Sequence, residues 1–393
     1  MGEQGEREYL IDVSRLIWRA WRGRPATGID RVCLAYCERY ARRAQAVIQR
    51  RGSVRVISPR QSDRLFRLLL QEGSAVSKTK LAAGLIGALI TVRKSPPRSG
   101  MIYFNVGHTG LDDPVLPGWL KRNAVRAIYM IHDLIPLTHP QYCRAGEQER
   151  HARRMTHALD SAAGIISNSE DTRGQLERFA LSNERSMPPT VVAWLSGQTA
   201  PPSVTPVRLK RPYFVTVGTI EARKNHLMLL QVWDELVQAM GAVAPILVII
   251  GGRGWEADDV IARLDELGPL QGSVQEVRAC NDGVLAAWIA GARALLMPSF
   301  VEGFGLPVIE ALQLGTPVIA SDLPVYHEIV GDKPTYLDPN DVEAWTEAIS
   351  DFTADGAERR RQVAAIQGYR GPTWDEHFRV AEAWLADLDS AAF

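Results

Sequence analysis

Cysteine is scarce. Four thiols in 393 residues cannot staple a chain of this size, and no pair has zinc-ribbon spacing. Cys33 and Cys37 fall on the stripe Ile29, Val32, Cys33, Tyr36, Cys37 and Tyr40, the buried face of an amphipathic helix, so a packing role is expected for them. Long hydrophobic runs are also missing. The longest uncharged apolar stretch, Leu81 to Val92, has 12 residues, and Met1 to Glu8 is charged. Neither a membrane-spanning helix nor a secretory leader is expected, and a reducing cytoplasm is the expected compartment. His132 and His139 lack helical ligand spacing, and Asp387 and Asp389 fall in a helical tail, so no metal is expected.

Net charge is zero, but the halves are electrically opposite. Residues 1–205 carry 30 lysines and arginines against 18 aspartates and glutamates, a balance of +12, and residues 206–393 carry 15 against 27. The basic half disperses its arginines through amphipathic helices, with no zinc finger and no aromatic stacking motif, which argues against nucleic acid. An anionic membrane surface suits it better. Arg64 to Leu70 and Lys78 to Lys94 mix cations with apolar residues in a pattern that could lie on such a surface, although helices packed on a sheet with one solvated face explain it equally well.

What is present is a large apolar fraction, 46%, enough for two domains. Short β-rich runs alternate with helical stretches, the pattern of parallel sheets covered by helices. Strands are expected near Tyr9–Val13, Val54–Ser58, Ile102–Val106, Arg126–Ile131, Gly164–Asn168 and Val191–Trp194. A second series runs Tyr213–Val217, Ile246–Ile250, Val274–Val277, Ala294–Met297, Pro317–Ala320 and Thr335–Leu337. The proline-rich stretch Gly197 to Pro206 reads as a linker. The fold class is α/β, two Rossmann-like parallel-sheet domains facing a cleft, with domains at 1–199 and 212–373. Ligands bind beyond the carboxyl ends of such strands.

Four segments lie there. After Met297 a glycine loop carries Glu302, Gly303, Phe304, Gly305 and Leu306, and Pro307 opens a helix that holds Glu310 in its first turn and ends at Gly315 and Pro317. The N–H groups of that helix suit a phosphate. Glu310 could instead complement the helix dipole, and Glu302 could be a solvated loop carboxylate. After Val217 come Gly218, Glu221, Arg223, Lys224 and Asn225. Asn225 is a good N-cap, yet two cations oppose the positive end of the following helix, a conflict a bound diphosphate would resolve. His132, at the end of an apolar strand, can bond a ligand, with Asp133 orienting it or capping the turn. The loop Ser14 to Thr27 is rich in Trp and Arg, and Gly28 beside it opens a helix and permits close approach of a ligand. A rival lies in Gly252, Gly254 and Ala257 with Glu276 downstream, which match a dinucleotide fingerprint. That match follows the second strand of its domain, and Glu256, Asp258 and Asp259 crowd the helix start a pyrophosphate would need.

Together these segments resemble the retaining nucleotide-sugar glycosyltransferases of family 4, whose fold is GT-B. Glu302-Gly-Phe-Gly-Leu-Pro-Val-Ile-Glu310 looks like the family's Glu-x7-Glu motif. The stretch from Val217 to Asn225 is similar to its donor-phosphate loop, and Ser321 to Gly331 to the segment that follows in bacterial mannosyl- and rhamnosyl-type members. The tail helix, 374–393, is similar to the one that returns to the first domain. The resemblance implies that Gly218, Arg223 and Lys224 hold the donor diphosphate and that Glu310 bonds the ribose. Glu302 and Gly303 to Leu306 would contact the transferred sugar and distal phosphate, with His132, Asp133 and Gly28 on the acceptor side. Catalysis would then rest on Glu302, His132, Arg223 and Lys224, with no cofactor. It further implies a nucleotide-sugar donor, GDP-mannose first, and a glycan or lipid-linked acceptor in bacterial surface polysaccharide assembly.

Overall fold

The computed structural model describes residues 7–22, 28–50, 52–71, 97–197, 204–278 and 280–390. Its contacts divide the chain into two units. The first is Met1–Leu134, Gln148–Trp194 and Trp374–Phe393; the second is Ile135–Glu147 and Leu195–Thr373. Sequence reading drew Ile135–Glu147 with the first domain.

The first unit is built on seven strands: β1 (Tyr9–Asp12), β2 (Ala44–Arg50), β3 (Ser53–Val56), β4 (Ile102–Asn105), β5 (Arg126–Ile131), β6 (Ala162–Ser167) and β7 (Thr190–Val192). Their order is β3-β2-β1-β4-β5-β6-β7. All neighbours are parallel except β2 and β3, which form an antiparallel hairpin whose last pair is Arg50 and Ser53. The expectation of a purely parallel sheet is corrected there, because a two-residue connection can only join antiparallel strands. Tyr36, Tyr40, Phe104 and Phe378 pack edge-to-face and stacked in one aromatic cluster. The tail helix Trp374–Ser390 is seated by His377, whose Nε2 lies 2.9 Å from the Tyr36 hydroxyl. It also needs Gly164, where a Cβ would lie 2.5 Å from the Trp384 ring.

The expected loop after β1 is instead the helix Ser14–Arg22. Asp12 Oδ1 accepts from the Ser14 N–H, Leu16 and Ile17 are buried, and Arg15 and Arg19 reach the buried Asp30 carboxylate at 2.8 and 2.5 Å. Trp18 and Trp21 stay on the surface, 44% and 47% exposed. Residues 23–27, the rest of that segment, lie outside the described residues. Arg64 to Leu70 belongs to the helix Pro59–Leu70, and Leu65, Phe66 and Leu69 are buried in the unit, so that apolar face is spent on the core. Lys78 to Lys94 lies outside the described residues. No helix among those described is long and apolar enough to cross a membrane.

The second unit holds six parallel strands: β8 (Tyr213–Val217), β9 (Ile246–Ile250), β10 (Val274–Val277), β11 (Leu295–Met297), β12 (Val318–Ser321) and β13 (Thr335–Leu337). Their order is β10-β9-β8-β11-β12-β13. Trp233, Trp345, Phe214 and Phe352 fill one side of this sheet. Because consecutive crossovers run outward in opposite directions from β8 and β11, the crevice at their carboxyl ends is the topological switch point of the sheet.

Candidate active site

Two loops leave that switch point. One follows β8 and makes a short 3-10 turn, Ala222–Lys224, before the helix His226–Met240. The other follows β11 and leads into the helix Leu306–Gln313. They are tied together by the Phe300 N–H, which donates to the Arg223 carbonyl at 2.9 Å.

This brings both cations of the first loop onto the carboxylate of the second. Lys224 Nζ lies 2.5 Å from Glu302 Oε1, and Arg223 Nη1 lies 2.9 Å from Oε2. The Ser299 hydroxyl donates to Oε1 at 2.6 Å. Arg223 also binds the buried Glu221 through Nε at 2.6 Å and the Val301 carbonyl at 3.1 Å. Glu302 is 8% exposed and Lys224 9%. The charge conflict at the start of the helix His226–Met240 is therefore met within the chain, by Glu302 and Glu221.

Burial alone would raise the Glu302 carboxyl. The Lys224 and Arg223 charges and the bonds from Lys224 and Ser299 outweigh it and hold the group down at about 2. Burial also pulls the Lys224 ammonium below its ordinary value, against the attraction of Glu302. His226, buried beside Lys224, is pushed down to about 3 by desolvation and by that charge.

Two glycines make the geometry possible. Gly218 has φ +144°, and a Cβ on it would lie 3.4 Å from Lys224 Cε, so the lysine stem crosses bare backbone. Gly305 has φ +106° and precedes Leu306, the first helical residue. Gly303 and the buried Phe304 complete the loop. Glu310 is buried and sits one turn into the helix rather than in its first turn, because the helix begins at Leu306. Asn225 does not cap its helix as expected. It adopts a left-handed conformation, φ +54°, that turns its side chain to the Pro339 carbonyl at 2.7 Å.

The remaining predicted residues belong to the first unit. His132 is buried after β5, and its Nε2 lies 2.8 Å from the Val106 carbonyl. That carbonyl holds one nitrogen of the ring, and the Asp133 charge also acts on it. Two more buried histidines surround it. His108, at φ +58°, bonds the Met130 carbonyl with its ring centroid 5.1 Å from that of His132, and His151 Nε2 lies 3.2 Å from the Asp133 carbonyl. Gly28 opens the helix Gly28–Tyr40, which also supplies Asp30.

The rival fingerprint has another occupation. A Cβ on Gly251 would lie 1.8 Å from the Gly218 carbonyl oxygen, and one on Gly254 would lie 2.5 Å from Thr219 Cγ2. The backbone that approaches these glycines is the neighbouring β8 loop, through Ile220 N–H to the Gly252 carbonyl and Gly254 N–H to the Ile220 carbonyl, each 2.9 Å. Glu276 is held by Arg253 at 2.9 Å and by Arg278 at 2.6 Å.

Glu221 was given no role from the sequence and Ser299 was not singled out, yet both touch the central ion cluster. Ser299 stands three residues before Glu302 on the loop from a central strand, which was the available signal.

Residues 200–368 match the family described as Glycosyl transferases group 1. The chain is similar to O-antigen chain mannosyltransferase B of Escherichia coli, 33% identical over 258 residues, which is 64% of this chain and 66% of that protein. It is 28% identical over 242 residues to the serotype-specific mannosyltransferase WbdA of Escherichia coli, 56% of this chain and 29% of that one. The chain thus spans just under two thirds of the first relative and under a third of the second. In structure it is similar to Anabaena Alr3699/HepE in complex with UDP, at TM-score 0.63 and 13% identity over 97% of this chain and 100% of that one. That likeness is one of fold, and the fold is GT-B.

Proposed function

We propose, from the match of residues 200–368 to the group 1 glycosyl transferases, that this chain transfers a hexose from a nucleoside diphosphate sugar to a glycan or lipid-linked acceptor in bacterial surface polysaccharide assembly. The two mannosyltransferase relatives support mannose as the transferred sugar, and GDP-mannose is the donor in this proposal. The observation that carries the reading is the pair Arg223 and Lys224 gathered on Glu302 at the switch point of the second sheet.

Glycosyl transfer builds positive charge on the sugar and negative charge on the departing diphosphate. Arg223, Lys224 and the N-terminus of the helix His226–Met240 can stabilise that diphosphate without a metal. Engaging it draws the cations from Glu302, whose freed carboxylate accepts a hydrogen bond from a hydroxyl of the transferred sugar. Glu310 is placed to bind the ribose, and His132 and Asp133 serve the acceptor side, with Gly28 in the acceptor loop. Retention follows if the acceptor hydroxyl attacks from the face the diphosphate leaves. The new C–O bond forms as the old one breaks, and the acceptor proton passes to the departing phosphate oxygen. The chain would work in the cytoplasm, at the inner face of the membrane where a lipid-linked acceptor is available.

The test is a thermal-shift panel with GDP, UDP, dTDP and NAD on the wild type and Lys224→Ala, followed by transfer from the matching sugar nucleotide. One nucleoside diphosphate stabilising only the wild type is the expected result. Stabilisation by NAD alone would overturn the reading, as would a GDP, UDP and dTDP panel without any shift.

A further inference from the structure

Tyr326 has no part in the roles above. It comes from the helix Pro324–Val330, after β12, and is 0% exposed. Its ring packs beneath the loop that carries Glu302, since a Cβ on Gly305 would lie 2.5 Å from Tyr326 Cε1. Its hydroxyl makes no hydrogen bond. A buried hydroxyl without a partner destabilises a fold, and phenylalanine would fill the same space without that cost.

Burial pushes this phenol far above its ordinary value, and the Ser299 side chain lies close enough to act on it though not in hydrogen-bond geometry, with the charges of Glu302 and Arg223 also reaching it. Ser299, itself 1% exposed, already donates to Glu302 Oε1. A serine hydroxyl that donates once still has lone pairs to accept with. We propose that Tyr326 is a positioning residue, which holds the Glu302 carboxylate through Ser299 once Arg223 and Lys224 have turned to the diphosphate of a nucleotide sugar. The inference rests on the transferase reading.

The argument is one of partners before and after that exchange. In the structure described, Glu302 has two cations and Ser299, and the Tyr326 hydroxyl is not called upon. When phosphate oxygens take the cations, the carboxylate stays buried with fewer partners, and burial then favours its neutral form. A neutral carboxyl is a poorer acceptor for a sugar hydroxyl. With Tyr326 O–H donating to Ser299 Oγ and Ser299 O–H donating to Glu302 Oε1, the acceptor remains ionised and aimed. Glu221 keeps its bond to Arg223 throughout and offers Glu302 no donor.

The experiment uses the full chain and the variants Tyr326→Phe, Ser299→Ala and the double variant. The Glu302 carboxyl is titrated by 13C NMR with saturating inorganic pyrophosphate, its signal assigned by loss in Glu302→Gln. Tyr326→Phe should raise its apparent pKa by about one unit, a tenfold change in ionisation, while the melting temperature holds or rises. In turnover of GDP-mannose the same variant should lower kcat about tenfold, leave KM within about twofold and move the acid limb of kcat to higher pH. The double variant should be no worse than the worse single one, as expected of residues acting in series. A Tyr326→Phe protein with unchanged Glu302 ionisation and unchanged kcat overturns the proposal and leaves the hydroxyl as packing alone. Failure of the wild type to turn over any sugar nucleotide would overturn the transferase reading instead, and the pyrophosphate titration would still decide the role of Tyr326.

Discussion

Lys224 Nζ and Glu302 Oε1 stand 2.5 Å apart although 78 residues separate them in the chain. With Arg223 on the other carboxylate oxygen, Glu302 occupies the position a phosphate would take against the same two cations. On the proposed reading, a donor diphosphate would bind by exchange, displacing a carboxylate that is already bound. Breaking a buried ion pair by removing one member leaves the other charge uncompensated. Lys224→Ala should accordingly cost about 3 kcal/mol of stability and weaken nucleoside diphosphate binding. Denaturant unfolding and calorimetry read the two effects, and a stable variant with unaltered binding would contradict the placement of Lys224.

The same pair sets a response to acid. Glu302 has its ordinary value of 4.5 when unfolded and about 2 when folded, so folding favours its ionised form. The stability it contributes, about 3 kcal/mol, is present above pH 4.5 and is lost as pH falls through 4.5 toward 2. Glu302→Gln should lack that component of the acid unfolding curve.

Buried histidines add a second acid response at higher pH. His226 is pushed down to about 3 and His377 to about 4, and burial holds His108 and His132 below their ordinary value. Each is neutral in the folded chain and takes a proton on unfolding, so stability falls as pH drops below about 6.5. For a group as deeply depressed as His226 the loss at pH 5 is about 2 kcal/mol. Urea midpoints at pH 7.5 and 5 measure it, and His226→Gln should reduce the difference between them.

Gly305 couples strain to function. At φ +106°, with Tyr326 where a Cβ would go, Gly305→Ala is strained twice, by backbone conformation and by overlap with a fully buried ring. A loss of about 2–4 kcal/mol is expected, together with loss of transfer, because the loop that carries Glu302 must shift. Retention of wild-type stability and transfer would show that the loop does not depend on this conformation.

The second sheet was legible because several of its strands are predominantly apolar runs, Ile246–Ile250 being unbroken and bounded by proline and glycine. In the first sheet β2 escaped, since its buried positions include Gln45 and Gln49. These glutamines satisfy internal acceptors, the Ile57 carbonyl for one and Asp12 and the Thr109 carbonyl for the other, and polar residues inside a strand erase the apolar signal. The helix Ser14–Arg22 escaped for a related reason, as its arginines and tryptophans read as a loop until Asp30 is seen to neutralise two of them. At the site, the residues and their loops were legible from motif and strand ends. That the cations and the carboxylate would neutralise one another was not, because it follows from β8 and β11 being neighbours.

Calorimetric titration of the stabilising nucleoside diphosphate into the wild type and Glu302→Gln, with the transfer rate measured on both, tests the exchange most directly. If Glu302 competes with the diphosphate for Arg223 and Lys224, the variant binds the nucleotide about tenfold more tightly and transfers sugar at least about a hundredfold more slowly. Equal losses of binding and of transfer in Glu302→Gln would contradict it.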